Sequence, residues 1–232
     1  MRICFISDTH TWHGNIVIPQ ADILVHCGDN TIYGEIWEMK NFIEWFGNQK
    51  PKHKIFINGN HEVMVAKLGN YTKQMVNDFN KYNFTNVCYL EDEAIEIEGV
   101  KFYGSPWTPE FFPENWAYQL YPDKAELLWG AIPEETDVLI THGPPCGVLD
   151  AVRPFGRYDR TNAGCPELMK RVKELKPKVH AFGHIHHEYG YRKLANPAVP
   201  TLFVNAAICN ANYNPVNKPI VVDTDTWEIV DA

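Results

Sequence analysis

The sequence predicts an α/β (α+β) protein in which two β-sheets pack against each other and carry helices on their outer faces. Short apolar runs alternate with amphipathic helical stretches in the first half, whereas β pairs dominate the second half. The 232-residue chain is 45% hydrophobic, which is enough apolar material for a sizeable core. We therefore expect one domain over residues 1–232, with two packed sheets rather than one open parallel sheet.

Five short apolar runs are the first predicted strands, and each ends in residues able to bind a metal ion or a phosphate. These runs are residues 2–7, 22–27, 54–58, 138–141 and 179–182. A β-hairpin is predicted at 94–97 and 100–103 with its turn at Gly99, and further strands at 201–205, 219–222 and 227–230. Apolar residues at three- to four-residue spacing predict helices at 35–48 and 165–175, and a weaker pattern predicts one at 71–82.

Composition excludes several classes of protein. The formal net charge is −8, with 21 Lys and Arg against 29 Asp and Glu, which argues against broad nucleic-acid binding. No apolar run approaches the roughly 20 residues that span a bilayer, and the amino terminus lacks a signal-peptide pattern, so we expect a cytoplasmic protein without membrane association. None of the six cysteines forms a CxxC pair, which argues against a zinc ribbon or a disulfide framework.

Side chains that bind metals follow the five apolar runs. They are two aspartates, four histidines and one asparagine: Asp8, His10, Asp29, Asn60, His142, His184 and His186. Divalent cations at hydrolytic sites take carboxylate oxygen, imidazole nitrogen and amide oxygen as ligands. Two such ions lie about 3.5–4 Å apart, so one carboxylate has to bridge them. The set is large enough for two incomplete coordination shells and a bridge, and it predicts a binuclear metal centre.

The spacing of these residues suggests how they reach one cavity. Asp8 and His10, like His184 and His186, are two residues apart and would face the same side of an extended backbone. Glycines precede Asp29, Asn60 and His184, and we expect them to let the chain turn sharply where each strand ends.

The motifs together resemble the calcineurin-like metallophosphoesterase superfamily. The pattern is Asp-x-His at 8–10, Gly-Asp at 28–29, Gly-Asn-His-Glu at 59–62, Thr-His-Gly at 141–143 and Gly-His-x-His at 183–186, and every block is intact. Segments 103–109, 141–145 and 205–206 are similar to class III cyclic-nucleotide phosphodiesterases and the related vertebrate brain metallophosphodiesterases. The resemblance implies a four-layer αββα sandwich of two mixed sheets flanked by helices.

The resemblance also implies roles for the site residues. One metal would take Asp8, His10 and His186, the other Asn60, His142 and His184, and Asp29 would bridge them. In such proteins the histidine after the asparagine ligand stays off the metals and protonates the leaving oxygen, which here is His61; the alternative is that His61 only orients Asn60. Two divalent ions are expected, and the ligand set leaves Mn, Fe and Zn open.

The expected activity is hydrolysis of small phosphodiesters, with cyclic nucleotides among the candidates and a metal-activated hydroxide as nucleophile. The alternatives are a phosphomonoesterase or protein phosphatase, and a scaffold that binds a partner without catalysis, for which the aromatic stretch 107–116 could be the surface. His13 and His187 could reach the cavity rim, and Arg153, Arg157 and Arg160 could contact a phosphate or a base. The oligomeric state is left open.

Overall fold

The computed structural model describes residues 1–83, 85–111, 115–152 and 161–230. Its strands, in chain order, are β1 (Arg2–Ile6), β2 (Ile23–Cys27), β3 (His53–Ile57), β4 (Val87–Tyr89), β5 (Glu93–Ile97), β6 (Val100–Ser105), β7 (Thr108–Pro109), β8 (Gln119–Leu120), β9 (Val138–Thr141), β10 (Ala151–Val152), β11 (Thr161–Asn162), β12 (Val179–Phe182), β13 (Gly190–Lys193), β14 (Leu202–Asn205), β15 (Ile220–Asp223) and β16 (Glu228–Val230). The helices are α1 (Ile36–Gly47), α2 (Val63–Ala66), α3 (Tyr71–Asn83), α4 (Pro122–Gly130) and α5 (Pro166–Leu175).

Two six-stranded mixed sheets form the centre of the fold. The first has the order β16-β15-β1-β2-β3-β4. Strands β1 to β4 run parallel, β15 is antiparallel to β1, and β16 is antiparallel to β15. The second has the order β13-β14-β12-β9-β6-β5, with antiparallel β13 and β5 at its edges. Two small ribbons, β7-β8 and β10-β11, lie outside these sheets. The two mixed sheets predicted from the sequence are confirmed.

Alternation of side chains along the strands divides the interior into separate layers. On β1, Ile3 and Phe5 face a core shared with the second sheet, while Cys4 and Ile6 face a core shared with α1 and α3. The second sheet repeats the pattern, because Phe182 of β12 packs with residues of α4 and α5. Three apolar cores between four layers give the αββα sandwich that the resemblance implied.

Local sequence explains why α1 was predicted and why α4, one of two helices that were not predicted, was missed. Helix α1 begins with a capping box between Glu35 and Glu38 and buries its apolar stripe, which confirms the helix predicted at 35–48. Helix α4 begins at Pro122 but buries only Ala125 and Trp129, and its Leu127 is exposed. This weak periodicity is why the sequence did not reveal α4. No helix in the described ranges is both long and apolar enough to cross a bilayer.

The topology gathers the carboxyl ends of the parallel strands of both sheets at one edge. In the first sheet β1, β2 and β3 end there, and in the second sheet β9 and β12 do. The chain after β14 crosses to the first sheet, where Ala207 bridges to Ser7 and Cys209 donates its N–H to the Asp8 carbonyl at 3.3 Å. Polar loops from both sheets therefore meet at this edge.

Candidate metal centre

The edge where both sheets end holds all the predicted ligand side chains, together with His61. Three clusters have ligand atoms within 4.8 Å of one another and could each hold a metal ion: Asp8 with His10 and His186, His10 with Asp29 and His61, and Asp29 with His142 and His184. The Asn60 Oδ1 atom lies 2.9 Å from His142 Nε2 and so belongs to the third cluster. The clusters share residues, so the structure brings the predicted side chains into one continuous site.

Left-handed backbone, rather than extended backbone, aims these side chains. The φ angles are 53° at Asp8, 41° at His10 and 68° at His184, so the prediction that the paired residues sit on extended chain is wrong. A left-handed residue turns the chain back on itself, which lets the N–H of His184 reach both Asp8 carboxylate oxygens at 3.0 Å. Neighbouring loops hold this uncommon conformation, since Asp8 donates its N–H to Gly28 at 2.9 Å.

The glycines before the ligands serve two different purposes. Gly28 has a φ of 98°, as the turn prediction requires. Gly59 and Gly183 are not left-handed, although the chain turns after each of them: Glu62 donates its N–H to the Gly59 carbonyl at 3.3 Å, and Ile185 donates its N–H to the Gly183 carbonyl at 2.8 Å. They are needed for close approach instead: a Cβ on Gly183 would lie 2.0 Å from Asp8 Oδ2, and one on Gly59 would lie 2.4 Å from Asp29 Oδ1.

Main-chain carbonyls orient three of the imidazoles. Each histidine has its Nδ1 beside a carbonyl oxygen: His10 beside Thr31 at 3.2 Å, His186 beside Asn210 at 3.0 Å and His142 beside Cys27 at 3.0 Å. An Nδ1–H that donates to a carbonyl fixes the tautomer and leaves Nε2 with a lone pair. The three Nε2 atoms therefore face the centre of the site as potential ligands.

Acceptor atoms converge at the centre at distances that need a cation or a proton between them. The Nε2 atoms of His10 and His186 are 3.1 Å apart, although each Nδ1 already carries the hydrogen. His142 Nε2 lies 2.9 Å from Asn60 Oδ1 and 3.2 Å from Asp29 Oδ2, which are also acceptors. Each of these contacts needs a proton or a cation between its two atoms, and nitrogen and oxygen ligand atoms of this kind fit divalent cations.

Electrostatics keeps most of these groups in the form that binds a cation. Burial lowers the pKa of His10 to about 4 and that of His184 to about 3, so both imidazoles are neutral at pH 7. Burial would raise the pKa of the Asp29 carboxyl, but the neighbouring histidines outweigh it and hold that pKa well below its usual range. Burial opposes protonation of His142, yet Asp29 raises its pKa to about 9. A metal ion would have to displace that proton.

His61 faces the cavity beside the centre. Its main-chain N–H donates to Asp29 Oδ1 at 2.9 Å, and its Nδ1 lies 2.8 Å from the Ile32 carbonyl. Its Nε2 is 3.9 Å from Asp29 Oδ2, and its ring contacts His10 at a centroid distance of 4.5 Å. Because Nδ1 is held by the carbonyl, Nε2 is the nitrogen left for a substrate or an ion.

Glu62 is a positioning residue that the sequence motif contained but to which we assigned no role. Its fully buried carboxyl accepts hydrogen bonds from Thr31 N at 2.9 Å, from Thr31 Oγ1 at 2.8 Å and from Gly59 N at 2.6 Å. Burial and the nearby Asp29 raise its pKa to about 8. Glu62 therefore ties the loop of Asp29 to the loop of Asn60. The sequence signal for this role was an acidic residue at the end of the Gly-Asn-His-Glu motif.

Two buried histidines of the central strands hold threonines at the ligand loops. His26 Nε2 lies 2.9 Å from Thr9 Oγ1, and His180 Nε2 lies 2.9 Å from Thr141 Oγ1. Each threonine neighbours a predicted ligand, so the two pairs fix corresponding loops in the two sheets.

Of the other residues that could reach the cavity, some lie at it and some do not. His13 does not reach the cavity, because it is buried against Trp45 and bonded to Asn41 at 2.7 Å. His187 lines the cavity, which is the position that the sequence allowed for it but did not favour. Arg153, Arg157 and Arg160 lie outside the described residues.

A cavity of about 440 Å³ opens over the centre. Its described lining is largely apolar and includes three aromatic rings, those of Phe111, Trp116 and Tyr213. Neither Lys nor Arg occurs among the described residues that line it. The first two rings fall in or beside the aromatic stretch noted in the sequence, whereas Tyr213 carries no pattern that sets it apart.

Comparison with known proteins identifies relatives over nearly the whole chain. The model of the calcineurin-like phosphoesterase family matches residues 1–188. The human metallophosphoesterase domain-containing protein 1 is 39% identical over 97% of this chain and 71% of its own length. UPF0046 protein K07C11.7 of Caenorhabditis elegans is 36% identical over 95% of this chain and 74% of its own. One solved structure with 17% identity shares the fold, with a TM-score of 0.73 over 99% of this chain and 97% of its own.

Proposed function

The chain belongs to the calcineurin-like phosphoesterase family, and we propose that it hydrolyses small phosphodiesters at a centre of two divalent metal ions. The convergence of nitrogen and oxygen ligand atoms carries this proposal: His10 Nε2 and His186 Nε2 meet at 3.1 Å, and His142 Nε2 meets Asn60 Oδ1 at 2.9 Å. Asp29 lies near both contacts, since its Oδ2 is 4.0 Å from His10 Nε2 and 3.2 Å from His142 Nε2, and it belongs to two of the candidate clusters.

Under the proposal, Asp8, His10 and His186 would hold one ion, Asn60, His142 and His184 would hold the other, and Asp29 would be shared between them. When bound, the ions supply positive charge for the phosphate and lower the pKa of water. Manganese, iron and zinc all suit this nitrogen and oxygen donor set.

His61 is proposed as the proton donor to the leaving oxygen. Its Nδ1 is beside the Ile32 carbonyl at 2.8 Å, so in the imidazolium form Nε2–H is the donor that faces the cavity. General acid catalysis of this kind contributes about 10²–10⁴-fold. His61→Ala should therefore slow a phenyl ester far more than a p-nitrophenyl ester, because p-nitrophenolate leaves without a proton. Equal losses for both leaving groups would exclude the role.

The cavity lining favours diesters over monoesters. A monoester carries up to two negative charges on its phosphate, whereas a diester carries one negative charge and a second organic group. Much of the described lining is apolar. A singly charged diester with an organic group on each side suits such a cavity.

The first experiment compares hydrolysis of bis(p-nitrophenyl) phosphate and p-nitrophenyl phosphate by metal-free protein with and without added Mn²⁺. Asn60→Ala removes one proposed ligand, and Asn83→Ala, on the exposed end of α3, is the matched control. We expect Mn²⁺-dependent turnover of the diester that survives in the control and is lost in Asn60→Ala.

Turnover of the monoester alone would indicate a phosphatase. Absence of turnover of either ester, with metal bound by calorimetry, would indicate a protein that binds a partner without catalysis.

A further inference from the structure

Three aromatic rings stand around the mouth of the candidate metal centre, and we call them the aromatic wall: Phe111, Trp116 and Tyr213. Trp116 lies 4.4 Å from the His61 ring, between centroids, and Phe111 lies 5.0 Å from the His184 ring. The Phe111 and Trp116 rings stack on each other, with an angle of 28° between their planes. The wall thus begins directly at the histidines of the site.

Tyr213 is the third ring of the wall and contacts two other histidines of the site. Its ring centroid lies 4.8 Å from that of His10 and 5.1 Å from that of His186. All three wall rings line the cavity of about 440 Å³.

Backbone contacts fix both sides of the wall. Next to Trp116, Ala117 donates its N–H to the Asn60 carbonyl at 2.9 Å, which couples this side to a proposed ligand. Tyr213 has a φ of 60° and donates its N–H to the Asn210 carbonyl at 2.8 Å. That same carbonyl accepts from His186 Nδ1, so the turn that carries Tyr213 also orients a proposed ligand.

The wall rings keep much of their surface exposed, even though they are packed against the site. Phe111 is 44% exposed and Tyr213 is 46% exposed. The histidine contacts use only part of each ring, and the remaining aromatic surface faces a cavity that holds no cationic side chain among its described residues. Aromatic faces and apolar neighbours such as Ile185 and Ala211 provide what a flat, uncharged ring needs for stacking.

We propose that the aromatic wall determines specificity by holding the planar aromatic group that the phosphodiester retains after hydrolysis, while its phosphate lies at the metal centre. The proposal rests on the proposed function for the position of the phosphate. Stacking of one ring on an aromatic side chain changes affinity by about fivefold to a hundredfold, whereas a small alkyl group gains much less. The protein should therefore distinguish diesters by the group that they retain after hydrolysis.

The test uses diesters that share one leaving group. Phenyl p-nitrophenyl phosphate and ethyl p-nitrophenyl phosphate both release p-nitrophenolate, so the ratio of their kcat/KM values reports on the retained group. Trp116→Leu and Tyr213→Leu remove wall rings, and Trp37→Leu, 67% exposed on α1, is the control. We expect the phenyl-to-ethyl ratio to fall at least fivefold in each wall variant and to remain unchanged in Trp37→Leu.

A third ester with thymidine in place of phenyl identifies the source of the ring. If the wall variants change only the thymidine-to-ethyl ratio, the wall holds a ring carried on a sugar, and the proposal stands for that source. If the wall variants lower kcat/KM for all three esters by one common factor, the rings merely support the histidines and the proposal is overturned. Ratios equal to those of the wild type would also overturn it.

A binding measurement separates this proposal from the proposed function. If the wild type hydrolyses none of the esters, the proposed function fails, and calorimetry of the Mn²⁺-loaded protein with phenylphosphonate and ethylphosphonate still tests the wall. Tighter binding of phenylphosphonate that disappears in Trp116→Leu would support the proposal. Equal affinities for the two phosphonates in the wild type would overturn it.

Discussion

Replacing Gly183 with alanine should damage the metal centre through a single methyl group. The new Cβ would lie 2.0 Å from Asp8 Oδ2 and 2.1 Å from Ser7 Oγ, whereas ordinary contact begins at 3.4 Å. The Asp8 carboxylate would have to move by about 1.4 Å to restore ordinary contact. Gly183 has an ordinary φ angle, so alanine adds no backbone strain to this overlap.

The cost follows from what Asp8 contacts. Its two oxygens accept the N–H of His184 at 3.0 Å each, and Oδ1 lies 3.3 Å from His186 Nε2. A hydrogen bond to a charged group contributes about 1.5–3 kcal/mol, and overpacking costs about 1–3 kcal/mol. We expect the free energy of unfolding to fall by about 2.5–6 kcal/mol, which lowers Tm by roughly 5–24 °C in a domain of this size.

The assay pairs thermal unfolding of the metal-free protein with calorimetric titration of Mn²⁺. Metal affinity should fall about 10–100-fold, as expected when a ligand loses its supporting contacts. Gly130→Ala is the control, because its Cβ meets nothing within 4 Å at the end of α4. If Gly183→Ala unfolds and binds Mn²⁺ as Gly130→Ala does, close approach of the two loops does not hold the centre together.

Three further predictions concern groups around the centre. Asp29 holds the pKa of His142 at about 9, so protonated His142 stabilises the metal-free fold below pH 6.5, and this stabilisation is lost as pH rises through about 9. Mn²⁺ affinity should rise over the same range, because the ion displaces that proton. Thr141→Val should lower the free energy of unfolding by about 1–3 kcal/mol, since His180 Nε2 loses its 2.9 Å partner. Glu62→Ala should cost about 2–4 kcal/mol, because three donors lose their acceptor.

Urea unfolding in EDTA measures the stability changes, and calorimetry at pH 6, 7.5 and 9 measures the Mn²⁺ affinity. Thr161→Val on exposed β11 and Glu44→Ala on the exposed face of α1 are matched controls. Mn²⁺ affinity that is flat between pH 6 and 9 would contradict the assignment of the proton to His142. If Thr141→Val or Glu62→Ala lowers the free energy of unfolding no more than its control does, the prediction for that residue is contradicted.

Much of the fold was predictable because local pattern and burial agree. The apolar runs that became β1, β2, β3, β9 and β12 are buried along nearly their whole length, so they stand out from any solvent-exposed segment. Strand β4 has three residues, and β13 is largely exposed, so neither carries a comparable pattern.

The sequence by itself determined the family and the chemistry of the site, because ligand types and strand ends are written in short motifs. How these groups are held was decided by the tertiary structure. Asp8 and His184 are 176 residues apart, and they meet only because the two sheets pack face to face with their strand ends at the same edge. The left-handed turns at these ligands, the support from Glu62 and the placement of Tyr213 all depend on neighbours from distant loops. Local spacing carries no information about such contacts, since they are set by how the layers pack.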